Sequence, residues 1–371
     1  MRCRNSKIEA LRLVSMLMIV AGHYFSEDNW ACHADGSLLH SWCACFHNAL
    51  IMFGQIGVCL FVLISAFFLS KSNSSPKRRL FRLWVQVEFY SVSSLVVFSF
   101  LIMYGLIDQG YAEWLSFRNV LTSFFPVVQG AYWFISAFFV LNLVAPYVNK
   151  LFNDMDGIAV RKFAVFFCMI TFVWKYINPS NCYFNDILYL VAVYLIGYMV
   201  NRFLDQLPSF NLLTVFGTIC FCYLAVVVGT RAITSATVAN LGMSYPSNLF
   251  IAGPGASPLL SLVAACPLFI YVVQKDSSFE SDWFNRMVNS LASATLGVYL
   301  IHENMFLKPF IWATIFQLSE PASILGKIVL SSVSIFILYT LLLLLSFVMQ
   351  RVIVKRIVNI ASISFLSKKV S

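Results

Sequence analysis

The chain has 371 residues, of which 60% are hydrophobic and only 11% charged, with a formal net charge of +9. A mean hydropathy of +0.81 is more apolar surface than a water-soluble domain of this size can hide, so the chain reads as a polytopic membrane protein. The basic residues gather between apolar runs, the pattern of cytoplasmic loops, and this excludes a nucleic-acid partner.

Ten apolar runs are long enough to span a bilayer, each needing about 17–25 residues. They cover 8–25, 48–69, 80–104, 131–147, 163–177, 184–203, 212–229, 248–273, 287–306 and 324–349. With the N-terminus in the cytoplasm and the loops alternating, all but five of the 25 Lys and Arg fall on the cytoplasmic side. The exceptions are Arg118, Lys175, Arg231, Lys308 and Lys327. This predicts an all-α polytopic bundle of about ten helices, a single domain over 1–371, both termini cytoplasmic and a basic tail over 350–371. The basic N-terminus before the first run resembles a signal peptide, but no small-residue cleavage site follows, so the run is kept as the first helix.

The first run carries Arg12 and His23, eleven residues apart. At about 100° per residue both side chains lie on one face, roughly 16 Å apart along the axis. Ionisable groups at membrane depth usually face a bundle interior or a wet cavity. Two on one stripe suggest a lined path through half the bilayer; the plainer reading is that each anchors one end of the helix. Glu9, three residues before Arg12, is placed to pair with it.

In the outer loop that follows, four of the five histidines fall between His23 and His47, near Cys32, Cys43 and Cys45. The spacing does not match a zinc knuckle, so no metal is predicted. A disulfide among these cysteines or with Cys182 suits an oxidising exterior.

The cytoplasmic hinge that enters the third helix reads Pro76-Lys77-Arg78-Arg79-Leu80-Phe81-Arg82. Arg79 and Arg82 are three apart at a helix start, where free N–H groups and the dipole already favour an anion. Two guanidiniums there suit a phosphorylated ligand, and they equally suit anchoring to acidic lipid. The eighth run is interrupted by Gly253-Pro254-Gly255 and Pro258, a break that must be buried in protein or line a wet cavity. The ninth run carries Leu296-Gly297-Val298-Tyr299-Leu300-Ile301-His302-Glu303-Asn304, with His302 near its outer end.

Together these segments resemble the integral-membrane acyltransferases called acyltransferase family three. The resemblance rests on Arg12 and His23 with ten residues between them, preceded by Glu9. It rests also on Gly57-Val58-Cys59-Leu60-Phe61-Val62-Leu63-Ile64-Ser65-Ala66-Phe67, where Ala66 stands for the usual glycine and Cys59 for a polar or acidic residue. The paired Arg79 and Arg82, the Tyr132-Trp133-Phe134 opening that reaches Pro146, and the LG-x-YLIH segment complete it.

The resemblance implies transfer of an acyl group, usually acetyl, from cytosolic acetyl-CoA to a sugar hydroxyl. The acceptor would be an envelope glycan or its lipid-linked precursor, and the setting a bacterial plasma membrane. Acyl-CoA is then a donor substrate, with no tightly bound cofactor; the other partners are the glycan acceptor and the bilayer. It implies His23 and Arg12 as catalytic, Arg79 and Arg82 as donor-binding, and Glu9, Trp133 and His302 as supporting. His23 would take the hydroxyl proton. The competing reading is a transporter or flippase for an anionic solute or lipid-linked sugar, which moves substrate without consuming a thioester.

Overall fold

The structure, a computed structural model, describes residues 5–27, 42–71, 76–177, 185–240, 258–275, 278–316, 323–358 and 360. Among them the chain is all α, with no strand. In order the helices are α1 (Ser6–Glu27), α2 (Trp42–Leu50), α3 (Met52–Leu69), α4 (Pro76–Met103), α5 (Phe117–Phe124), α6 (Trp133–Asp154), α7 (Gly157–Cys168) and α8 (Trp174–Ile177). There follow α9 (Asp186–Arg202), α10 (Leu212–Asn240), α11 (Pro258–Val273), α12 (Asp282–Ala292), α13 (Thr295–His302), α14 (Leu307–Ile315) and α15 (Ile324–Met349). A π-helical turn, Met169–Val173, joins α7 to α8.

Six spans among the described residues are long and apolar enough to cross a membrane: Ser6–Glu27, Cys45–Leu69, Pro76–Met103, Trp133–Asp154, Leu212–Ala232 and Ile324–Val358. Their outward faces are apolar. Leu213, Phe216, Phe221 and Leu224 of α10 and Leu325, Phe336, Leu341 and Leu344 of α15 are all exposed. Such surface would be an aggregation hazard in water and is what hydrocarbon requires. The chain is a multi-pass membrane protein.

The other expected runs take different forms. The sixth is α9, of 17 residues, and the eighth yields α11, of 16. The Gly253-Pro254-Gly255 break lies outside the described residues, as do Cys32, His33, His40 and Cys182. The ninth run is not one helix: it is α12 and then α13, separated by a turn at 293–294. Its first residues, with Asn289 and Ser290, belong to the amphipathic α12, which begins before the run at Asp282, while α13 carries the Leu296–His302 segment.

The chain divides into two compact units. The first comprises Met1–Lys71, Leu151–Ala292 and Leu318–Ile337; the second comprises Ser72–Lys150, Ser293–Gln317 and Leu338–Ser371.

In the first unit α1 and α3 cross in backbone contact because glycines remove the intervening side chains. A Cβ on Gly22 would collide with the Gly54 backbone, and one on Gly57 with the Ser15 carbonyl of α1. Small residues are the usual means of close helix packing where hydrocarbon supplies no hydrophobic drive. The unusual Ala66 is explained here as well. A Cβ on Gly197 of α9 would meet the Ala66 Cβ at 2.5 Å, so the glycine missing from α3 is replaced by one on the facing helix. Nearby, the Cys59 thiol lies 3.1 Å from the Tyr189 hydroxyl, a buried polar contact between α3 and α9. Side-chain caps start the helices: Asn5 accepts from the Ile8 N–H, Asp156 from Ile158 and Ala159, and Asn185 from Leu188.

In the second unit α4 begins at Pro76, whose missing N–H costs nothing at a helix start. Its far end packs Leu95, Phe98 and Ile102 with Ile107 and Phe306 into a buried cluster. The α13 helix is seated through Gly297, where a Cβ would run into Ser346 Oγ of α15 and Tyr90 Oη of α4. Ser346 also donates to the Ala294 carbonyl at 2.6 Å, pinning the start of α13. Gly297→Ala should therefore cost about 1–3 kcal/mol of stability through overpacking. Thermal unfolding of the purified protein in detergent measures it, and an unchanged midpoint would contradict this seating.

Candidate active site

The first unit supplies Glu9, Arg12 and His23 from the single unbroken helix α1. Continuity of the helix places Arg12 and His23 on one stripe, as their spacing requires. Arg12 Nη1 meets Glu9 Oε2 at 2.5 Å, so the expected pair is formed. The Glu9 side chain is 5% exposed and that of Arg12 19%, a nearly dry carboxylate matched by its own neighbour. A buried carboxylate stripped of that partner would be strongly destabilising. One turn on, Ser15 donates to the Arg12 carbonyl. His23 is half-buried, next to Gly22 and its backbone contact with α3. The α1 segment carrying His23 is thus held at a fixed distance from α3. Of the neighbouring histidines and cysteines, His47 is buried edge-on against Phe25 at 5.9 Å. Cys43 is disulfide-bonded, whereas Cys45 is free and buried.

The second unit supplies Arg79, Arg82, Trp133 and His302. Both arginines stand in the first two turns of α4, Arg79 half-buried and Arg82 exposed. His302 ends α13 and is fully buried. Its Nδ1 lies 2.7 Å from the Val298 carbonyl, one turn back. A carbonyl can only accept, so Nδ1 carries a proton, and in the neutral form of the ring Nε2 is then the accepting nitrogen. Tyr299 and Trp312 stand perpendicular to the ring, with centroids 5.9 and 6.5 Å away, and fix its plane.

A polar clamp behind this histidine was not evident from the sequence. Tyr132 donates to the Leu300 carbonyl at 3.1 Å and accepts from Asn304 Nδ2 at 2.7 Å. Asn304 Oδ1 in turn takes the Phe306 N–H at 3.0 Å. The clamp fixes both sides of His302 along the chain, and Glu303 pairs with Lys308 at 3.3 Å. Trp133 adjoins this clamp in sequence, but the described contact of its ring is with Phe134, 5.8 Å away. The residue of that motif that reaches α13 is Tyr132.

A second residue passed over is Glu88, the one acidic residue in the α4 span. Its Oε2 is buried with no hydrogen-bond partner among the described residues. A carboxylate inside a spanning helix marks a functional position by default, and that isolation in an apolar run was the available signal.

Each unit carries an imidazole, a group suited to proton transfer, and guanidiniums suited to an anion. No curated protein and no solved structure matches the chain. A family model described as an acyltransferase domain matches residues 5–351, nearly its whole length. The chain belongs to acyltransferase family three.

Proposed function

We propose that the protein transfers an acetyl group from cytosolic acetyl-CoA to a hydroxyl of an envelope glycan or its lipid-linked precursor. The observation that carries this reading is the buried His302, its Nδ1 donating to the Val298 carbonyl and its ring plane set by Tyr299 and Trp312, within a chain of this family. Fixing the tautomer of an imidazole matters for moving protons and has no comparable use in merely packing a helix end.

In the step proposed, His23 removes the proton from the acceptor hydroxyl as its oxygen attacks the thioester carbonyl. The new C–O bond forms, the C–S bond breaks, and the proton passes to the departing CoA thiolate. Arg12, balanced by Glu9 and about three turns from His23, holds the phosphopantetheine side of the donor. Arg79 and Arg82 bind the phosphates of the donor. His302, with Trp133 and the Tyr132 clamp, supports the acceptor side. Acetyl-CoA is a substrate, and the protein works without a resident cofactor or metal, as one acyltransferase domain over 1–371.

About ten helices cross a bacterial plasma membrane with both termini cytoplasmic, a reading supported by the distribution of basic residues. Lys368→Cys, in a cysteine-free background, should then resist an impermeant thiol reagent in intact cells; labelling from outside would overturn the orientation.

Arg79→Lys and Arg82→Lys keep the charge and lose the planar fork. Each should raise the donor KM about tenfold, the scale of one charged hydrogen bond, while the protein inserts normally. Unchanged donor KM in both would leave the arginines as helix anchors. The measurement is acetyl-CoA consumption by purified protein with glycan acceptor. Consumption by the wild-type protein supports the enzyme; solute movement without loss of thioester supports the transporter.

A further inference from the structure

We infer that the second unit carries a binding subsite for a neutral sugar ring, between the 3-10 helix after α4 and the helix α14. This deepens the proposed reaction and rests on that reading for the side of the membrane it faces. Past the end of α4 the chain turns at Gly105, whose φ of +65° lies in the left-handed region that favours glycine. It then forms the 3-10 helix Gln109–Trp114. A groove of about 520 Å³ separates this segment from α14, lined by Asp108, Tyr111 and Trp114 on one side and Phe310 and Thr314 on the other. That volume falls within the range of small-ligand sites, about 300–1,000 Å³.

The lining matches a sugar in kind. Aromatic faces suit the C–H face of a pyranose, and Trp114, although a large apolar side chain, is 42% exposed. Tyr111 is held edge-on against the buried Phe98, with centroids 6.5 Å apart, so its orientation is set by the core of the unit. Asp108 Oδ1 accepts the Gly110 N–H at 2.6 Å and closes the turn. Its second oxygen has no partner among the described residues, and an ionised carboxylate accepts hydroxyl hydrogens in short, strong bonds. Thr314 spends its hydrogen on the Phe310 carbonyl and keeps its lone pairs as acceptors. The lining holds one carboxylate and no cation, which favours a neutral sugar over a uronate. A tryptophan serving only as a membrane-interface anchor needs no such carboxylate beside it.

Position supports the same occupant. In the proposed orientation α4 starts in the cytoplasm, so its 28 residues carry the 3-10 segment to the outer face. The other wall, α14, starts five residues after His302, so a ring seated here is delivered next to that end of α13.

The test uses full-length protein in detergent and saturation-transfer NMR with three soluble probes: cellotetraose, chitotetraose and a uronate-containing tetrasaccharide. At least one neutral probe should bind in preference to the uronate. Trp114→Ala and Asp108→Asn should each weaken that binding about tenfold, the scale of one charged hydrogen bond or its equivalent. The asparagine retains the oxygen that caps Gly110, so loss of the turn does not confuse the result. Binding of no neutral probe, preference for the uronate, or binding that neither variant changes would overturn the subsite. Acetyl-CoA binding, measured on the same samples, separates the two claims. Intact donor binding with no sugar binding removes the subsite alone, whereas absent donor binding in the wild-type protein removes the acyltransferase reading.

Discussion

Membranes carrying His23→Ala should transfer no measurable acetyl group to glycan while holding a normal amount of the protein. Loss of a general base typically lowers the rate on the order of a hundredfold to ten-thousandfold. His23→Gln keeps the size and a hydrogen bond but cannot accept the proton, so it should fail to the same extent. The half-buried site on α1 tolerates either change, because the backbone contact with α3 runs through Gly22 rather than through the imidazole. A folded His23→Gln protein that transfers acetyl at the wild-type rate would remove this histidine from the chemistry.

The second large effect concerns His302, and its pattern should differ. With Nδ1 donating to Val298, the neutral ring can accept only at Nε2. A glutamine can still offer an accepting oxygen, so His302→Gln should retain part of the activity. His302→Ala leaves a hole between Tyr299 and Trp312 and should lose far more, in stability as well as in rate. Measured together, kcat and unfolding temperature separate the two consequences. Should His302→Gln fall as far as His23→Gln with its unfolding temperature unchanged, then His302 is the proton acceptor and His23 the supporting group.

The sequence made α1 legible in full. Its apolar length, Glu9 three residues before Arg12 and the eleven-residue step to His23 all follow from helix geometry, and the helix is unbroken from Ser6 to Glu27. The bounds of α15 were equally plain, since Lys327 is the one charged residue in Ile324–Met349. The ninth run misled because hydropathy sums residues without sensing a turn. Its apolar content continues across 293–294, where the backbone does not. Ala66 looked like a departure from the family pattern, and only the facing Gly197 shows that the close approach survives with the small residue on the other helix. The Tyr132–Asn304 clamp was out of reach for a different reason. Its partners are 172 positions apart, and nothing periodic within either segment announces a contact at that distance. Trp133 was singled out from the same motif, whereas the neighbouring Tyr132, on the other side of the helix start, makes the bond.

The most direct measurement is transfer of label from acetyl-CoA, carrying radioactive carbon in the acetyl group, to glycan in membranes with the wild-type protein or with His23→Gln. The account predicts label in the glycan and an equal amount of free CoA thiol with the wild-type protein, and neither with the variant. Transport of a solute or lipid-linked sugar with no label transferred and no thiol released would contradict it.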